Sequence, residues 1–375
     1  MQHPLFVPQS SWRPPSQLPT FEKVIAIDLE TCDPNLKQHG PGYKRNDGKV
    51  VGIAIADEHQ EIYLPFDHLG GDNIDKRIVL SYVSNLVKNS SEILFANAAY
   101  DLGWLETLGI SVSCPIRDVQ IAEALIDEEQ FSYSLNNLSK KYLKRTKFEE
   151  KLKEAAYAYD IDPKAEMWKL PARHVGEYAE MDARNTWDVY QYQIPVLQEQ
   201  GLWTVWELEC KLTPVLVHMS MKGVPVNVDK ADQLNEELKK REAILKQNFK
   251  NLDIWSPLRK VFVEDIILHK NYKGRIHADF KQTASDSGGT RSGRLSSANP
   301  NMQQVPKRSD IGKAIRALYI AEPDSLWCKA DYSSQEPRLQ VHYALIGEFG
   351  RPLARAVEAK EAFERGEKLY TFFEK

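Results

Sequence analysis

Asp28-Leu29-Glu30-Thr31 is followed along the chain by Asn97-Ala98-Ala99-Tyr100-Asp101 and then by Tyr178-Ala179-Glu180-Met181-Asp182. Among their side chains are the carboxylates of Asp28, Glu30, Asp101 and Asp182 and the phenol of Tyr178. That is the equipment of a two-metal phosphodiester hydrolase, in which a pair of divalent ions about 3.5–4 Å apart clamps the attacking and leaving oxygens of a phosphate. Mg²⁺ prefers oxygen donors in near-octahedral geometry, so carboxylates are its natural holders. Taken alone, an Asp-x-Glu is usually a surface turn and a Tyr-x-x-x-Asp an amphipathic helix face. The ordered combination carries the chemistry. Cys32, Cys114, Cys210 and Cys328 are dispersed and form no CxxC pair, which points to neither a zinc site nor a disulfide framework.

Elements must deliver these groups. The apolar run 23–28 reads as a buried strand with Asp28 at its end. Residues 50–56 and 61–65 read as two more strands, and 93–96 as a fourth leading into Asn97 and Asp101. A helical pattern covers about 75–87. Spacing over 175–197 predicts a helix with Tyr178 and Asp182 on one face. Strands first, then strand alternating with helix, predict a mixed α/β sheet with acids at strand ends, where such sheets place sites. From Leu202 the texture becomes helical. Apolar residues predict a helix over 207–221 ended by Gly223, and Asp229 is expected to cap another with the stripe Leu234, Leu238, Leu245, Phe249 and Leu252. A boundary falls near 200–206. Trp203 and Trp206 read as core at that junction. Asp118 reads as a cap or surface charge, and His68 as structural or solvated.

At 375 residues the chain can hold two or three domains, and 42% hydrophobic with 27% charged residues is an ordinary globular balance. The formal net charge is −4, so nucleic-acid binding must be argued locally. Residues 270–316 hold ten Lys and Arg against three Asp, a net charge of +7 in a stretch rich in Ser, Thr, Gly and Asn. Such a block can neutralise phosphates and donate hydrogen bonds to them. The start of the chain has no basic segment before an apolar core, and no run approaches the roughly 18 apolar residues of a membrane span. A cytoplasmic location fits the scattered thiols.

The three acidic runs resemble the ExoI, ExoII and ExoIII motifs of the DEDDy 3′–5′ exonucleases. Thr290-Arg291-Ser292-Gly293-Arg294-Leu295-Ser296-Ser297 and Pro300-Asn301-Met302-Gln303-Gln304-Val305-Pro306 resemble a block of the family A DNA polymerases of phages and bacteria. Ala330-Asp331-Tyr332-Ser333-Ser334-Gln335-Glu336-Pro337-Arg338 resembles their motif A. Composition marks residues 1–19 as a Pro-rich leader. The resemblance implies an RNase H-like exonuclease domain (20–200) and a partial polymerase domain (201–375) with a mostly helical, reduced thumb and the start of an α+β palm. It implies that Asp28, Glu30, Asp101 and Asp182 hold two Mg²⁺ or Mn²⁺ ions and that Tyr178 orients the attacking water. Asn97 is expected near the site, and Leu29 and Thr31 where a terminal nucleotide docks. Arg291, Arg294, Asn301, Gln303 and Arg316 are the implied DNA contacts, Glu336 the steric gate against ribose, Arg338 a packing residue, and Asp331 a remnant of the polymerase metal site.

Two departures matter. Only sixteen residues separate Trp255-Ser256-Pro257 from Gly274-Arg275-Ile276-His277, which predicts a weakly gripping thumb. Motifs B and C are not found before Lys375, so Asp331 lacks its partner carboxylate and the chain alone is expected not to extend a primer. A second polypeptide carrying the fingers and motif C would complete it, and a piece of a longer gene explains the end equally well. The expected function is proofreading removal of 3′-terminal nucleotides from DNA during replication in a bacterial or phage-infected cell. The rivals are a free-standing DEDDy exonuclease acting on RNA and a non-catalytic DNA-binding subunit of a split polymerase. Trp327, Tyr332, Leu339, Tyr343, Phe372 and Phe373 are expected to be left uncovered, inviting association.

Overall fold

A computed structural model describes residues 8–145, 149–248, 257–284, 289–347 and 350–366. The chain divides into two compact units, 1–320 and 321–375.

The first unit is organised by a five-stranded sheet in the order β3-β2-β1-β4-β5. Strands β1 (Val24–Cys32), β2 (Lys49–Ala56) and β3 (Glu61–Pro65) form an antiparallel meander. Strands β4 (Glu92–Phe95) and β5 (Ile116–Asp118) add in parallel on the far side of β1. Period-2 alternation sends Ile25, Ile27 and Leu29 to one face and Ala26, Asp28 and Glu30 to the other. On that second face the partners of Ala26, Asp28 and Glu30 in β2 are Ala56, Ala54 and Gly52. These small residues let a helix approach closely.

That helix is α5 (Gly176–Glu199), with Ala179 and Ala183 fully buried beneath it. The preceding helices are α1 (Lys76–Asn89), α2 (Ala98–Thr107), α3 (Val119–Ile126) and α4 (Glu149–Ala158). Asp75 caps α1, its carboxylate accepting from the Arg77 and Ile78 amides. After a three-residue break α6 (Trp203–Lys222) packs back on the sheet domain, and Trp206 is fully buried, edge-on to Trp203 at 5.2 Å, with its Nε1–H donating to the Asp118 carbonyl at 3.0 Å. The tryptophan pair is core, as expected.

Helix α7 (Val228–Asn248) follows, capped by the Asn227 side chain, which accepts from the Lys230 amide at 2.9 Å. Asp229 sits inside the first turn instead of capping it, so the start lies two residues earlier than the sequence suggests. Leu238 of the expected stripe is buried, Leu245 is exposed, and Phe249 and Leu252 lie outside the described residues. A wide helical segment, Arg259–Leu268, packs on α7 through Val263, Ile266 and Ile267. Two short ladders, β6 (Val224–Pro225) with β7 (Arg275–Ile276) and β8 (Asp279–Lys281) with β9 (Ser296–Ala298), precede α8 (Asp310–Arg316).

In the second unit α9 (Gln335–Ile346) and α10 (Ala356–Glu364) meet through Val341, Ala359, Ala362 and Phe363. Trp327, Tyr332, Leu339 and Tyr343 are exposed, as expected, while Phe372 and Phe373 lie outside the described residues. No described helix is long and apolar enough to cross a membrane.

Candidate active site

Asp28 and Glu30 do not terminate a strand. They lie within β1, because its antiparallel pairing with β2 continues to Cys32 while its parallel pairing with β4 stops at Ala26. The register slips between Glu30 and Thr31, a bulge of the kind found beside sites. Where β4 no longer covers β1, α2 takes over: the Leu29 amide donates to the Asp101 carboxylate. Asp101 is thereby tied between the two β1 acids. Leu29 itself is buried in the core, so it packs and anchors instead of offering a docking surface.

From above the sheet α5 brings Tyr178 and Asp182, one turn apart, the phenol donating to the Asp182 carboxylate. The sequence-predicted acids therefore share one electrostatic site. Burial first, then Asp28, Asp118 and Glu30, push the Asp101 carboxyl well above the ordinary carboxylate range. Burial, then Asp182, Glu30 and Asp28, likewise push the Tyr178 phenol far above 10, so its hydroxyl keeps its proton. Among the described residues no three Asp, Glu, His or Cys side chains converge into a ready-made cation cage. Shared charge and anchoring, not a closed coordination sphere, unite these four acids. Their donor chemistry fits a hard divalent ion: all four offer carboxylate oxygens, and Asp101 is destabilised by burial and like charge that a cation would offset.

Two supporting residues, Tyr63 and Glu180, escaped the sequence reading, and a third, Asp118, bears out its reading as a cap. Tyr63 pairs with Ala54, itself paired with Asp28, and a Cβ on Gly52 would lie 2.1 Å from the Tyr63 hydroxyl, so Gly52 is needed to let this ring cross β2. Charge from Glu30 and Asp28 adds to burial in raising its phenol. Its hydroxyl meets His68 Nε2 at 2.6 Å. Glu180 accepts the Tyr63 amide at 3.1 Å, and burial raises its carboxyl to about 7. Asp118 is not surface charge. It is buried, and its carboxylate accepts from the Ala98 and Asn97 amides at the start of α2 (2.6 and 3.4 Å) and from Gln120 and Ile121 at the start of α3. One side chain caps two helices. Its place just before a helical run was the available signal.

Asn97 adopts a left-handed backbone (φ 80°) at the start of α2 and lines a cavity of about 260 Å³ with Asp118, Thr213 and Lys281. Thr31 Oγ1 meets the Tyr100 hydroxyl at 2.7 Å, and Tyr100 also bonds Asp33.

The polymerase-like residues fall in both units. Arg291, Arg294 and Gln303 are exposed; Asn301 accepts the Gln303 amide at 3.0 Å, and the Gln303 amide side chain donates to the Leu295 carbonyl at 2.9 Å. The Arg316 guanidinium donates to the Val305 and Pro306 carbonyls, both at 3.0 Å, and so holds the turn that closes the block. In the second unit Asp331 and Glu336 are exposed, and Arg338 stacks over Phe363 at 4.9 Å while donating to the Ser333 carbonyl.

Residues 17–197 match the 3′–5′ exonuclease family and residues 211–352 match DNA polymerase family A. The chain is 33% identical to a DNA-directed DNA polymerase of Pseudomonas phage M6, over 97% of this chain and 66% of that protein. It is 24% identical to DNA polymerase DpoZ of Salmonella phage PMBT28 (85% and 61%) and 24% identical to DNA polymerase I of Borreliella burgdorferi (85% and 39%). It thus spans about two thirds or less of these relatives' lengths. In fold it resembles the POL domain of Pol1 from M. smegmatis, solved with DNA primer-template and dNTP, with a TM-score of 0.63 at 18% identity, covering 93% of this chain and 62% of that one. The two family matches lie in succession along the sequence, and the acids gathered around β1, α2 and α5 fall inside the first: the chain belongs to DNA polymerase family A and carries that family's 3′–5′ exonuclease domain.

Proposed function

We propose that residues 20–200 hydrolyse the 3′-terminal phosphodiester of DNA by the DEDDy route, releasing nucleoside monophosphates as the proofreading portion of a family A polymerase. The observation that carries this is the gathering of Asp28, Glu30, Asp101, Asp182 and Tyr178 on one face of the sheet. Asp28, Glu30, Asp101 and Asp182 would hold two Mg²⁺ or Mn²⁺ ions, which supply activated water and offset charge on the leaving 3′ oxygen. Tyr178, kept protonated by burial and the neighbouring acids, orients water through its hydroxyl and does not act as a base. The Leu29 amide and the Asp118 caps hold Asp101 and the start of α2 against the repulsion of the cluster.

Residues 201–375 are the thumb and the opening of the palm in this reading. Arg291, Arg294, Asn301, Gln303 and Arg316 face primer-template DNA, and Glu336 excludes ribose. Asp331 alone cannot carry two-metal polymerisation, so no primer extension is assigned to these residues by themselves.

The test is a 5′-labelled primer on a template with Mg²⁺ and all four deoxynucleotides, beside Asp28→Ala and an RNA primer of the same sequence. A ladder of shortened DNA products, absent in the variant, is expected. Lengthened products would overturn the reading of the palm, preferential loss of RNA would favour a ribonuclease, and no change at all would mean an idle subunit.

A further inference from the structure

The chain ahead of β1 is strapped across the helix that presents Tyr178 and Asp182. It is anchored along its length: Ser10 Oγ donates to the Arg173 carbonyl at 2.6 Å, and the Tyr82 hydroxyl donates to the Pro19 carbonyl at 2.6 Å. Pro14 and Pro15 stiffen the stretch between these anchors, so ordering it costs less entropy than an ordinary linker would.

Trp12 is its inserted side chain. The indole lies on Gly176, the first residue of α5, where a Cβ would stand 2.1 Å from the ring. It also packs on Tyr63 of β3, with centroids 6.0 Å apart. Its N–H donates to the Glu180 carboxylate, which in turn accepts the Tyr63 amide at 3.1 Å. The first turn of α5 and the edge of β3 are therefore joined through one tryptophan. Glu180 stands midway between Tyr178 and Asp182 in the sequence. Residues 8–10 of the strap also wall a cavity of about 280 Å³ with Arg173, His174 and Tyr178. The exonuclease family match begins at residue 17, so Trp12 lies ahead of the shared domain.

We propose that Trp12 is a positioning residue for the nuclease, clamping the first turn of α5 to β3 so that Tyr178 and Asp182 stand over Asp28 and Glu30. This rests on the nuclease reading above, and the test separates the two. Trp12→Ala and Trp12→Phe are compared with the wild-type full chain by amide hydrogen exchange, by calorimetric Mn²⁺ titration, and by hydrolysis of a 5′-labelled single-stranded DNA.

In Trp12→Ala the amides of 176–182 are expected to exchange about tenfold faster, with β1 and the last turns of α5 unchanged. Mn²⁺ binding weakens about tenfold. The hydrolysis kcat falls about tenfold or more, with KM held within about twofold. Trp12→Phe keeps the ring on Gly176 but loses the donor to Glu180, and is expected to fall between the two. Unchanged exchange over 176–182 overturns the clamp. A loss confined to KM overturns the positioning role. If the wild type neither binds Mn²⁺ nor degrades DNA, the nuclease reading and the catalytic role of Trp12 fail together, while the exchange comparison still decides whether the clamp exists.

Discussion

Lowering the pH from 7.5 to 5 is expected to destabilise the nuclease domain through one residue, His68. Its side chain is sealed between Tyr63 and Leu170 and is 4% exposed. The Leu170 carbonyl can only accept, so Nδ1 carries the proton and donates at 3.1 Å, and Nε2 accepts the Tyr63 O–H at 2.6 Å. The backbone is fixed too, since the Asn73 side chain bonds both the amide and the carbonyl of His68. Burial pushes the imidazole down to about 4; the Leu170 carbonyl and the carboxylates of Asp67 and Asp72 oppose that shift, and Lys49 adds to it. Unfolded, the same residue titrates near 6.5. Between those values the unfolded chain binds a proton that the folded chain refuses, so stability present above pH 6.5 is lost as pH falls towards 4.

The full linkage is about 3 kcal/mol, of which about 2 kcal/mol is lost by pH 5. The assay is urea unfolding followed by tryptophan fluorescence at pH 7.5 and 5.0, for wild type and His68→Gln. Glutamine can donate to Leu170 and accept from Tyr63 without titrating, so carboxylate contributions cancel in the comparison. Wild type should lose about 2 kcal/mol more than His68→Gln across that interval. Parallel losses would refute the argument, because they would mean that His68 takes its proton in the fold as readily as outside it.

Other outcomes follow from the same geometry. Asp101→Asn keeps an acceptor for the Leu29 amide but removes a charge that burial and its neighbours oppose; melting in EDTA should move upward, while the Mn²⁺-induced shift and nuclease activity fall by about 10²-fold or more. Asp118→Ala uncaps α2 and α3 together and should cost about 2 kcal/mol in urea unfolding, roughly 1 kcal/mol per cap. Lys44, fully buried, pairs with Asp279, which also accepts from Asn299; Lys44→Met strands that carboxylate and should cost about 3 kcal/mol or more, and Lys44→Met with Asp279→Asn in a double-mutant cycle should recover most of it.

The sequence made the clustered acids legible and left their supports dark. Glu61–Pro65 came out at its observed bounds, and the α5 helix within two residues, because apolar period and breakers mark both. Tyr178 and Asp182 were placed on one helix face by spacing alone. Glu30, by contrast, stands beside a bulge at Val51, and the proximity of Tyr63 to Asp28 depends on register through Ala54. Register is a property of two strands at once, and neither strand's residues state it. The same holds for Trp12, whose partner Gly176 is distant in sequence and whose role exists only because that glycine has no side chain.

Asp331 makes the complementary point. Its motif resembles its family as plainly as Asp28 does, yet the two residues stand in different surroundings. Asp28 lies within a strand paired on β2, under α5, beside a carboxylate tethered to the next backbone amide. Asp331 is exposed, in a stretch outside any helix or strand, with the nearest helix beginning at Gln335. Gathering acids is unfavourable unless strand pairing, caps and a covering helix oppose the repulsion, and around Asp101 those opposing devices can be named one by one. Motif resemblance identifies which residues a site would use. The supports identify where the fold has met the cost of assembling one, and within the described residues they surround the nuclease acids and not Asp331.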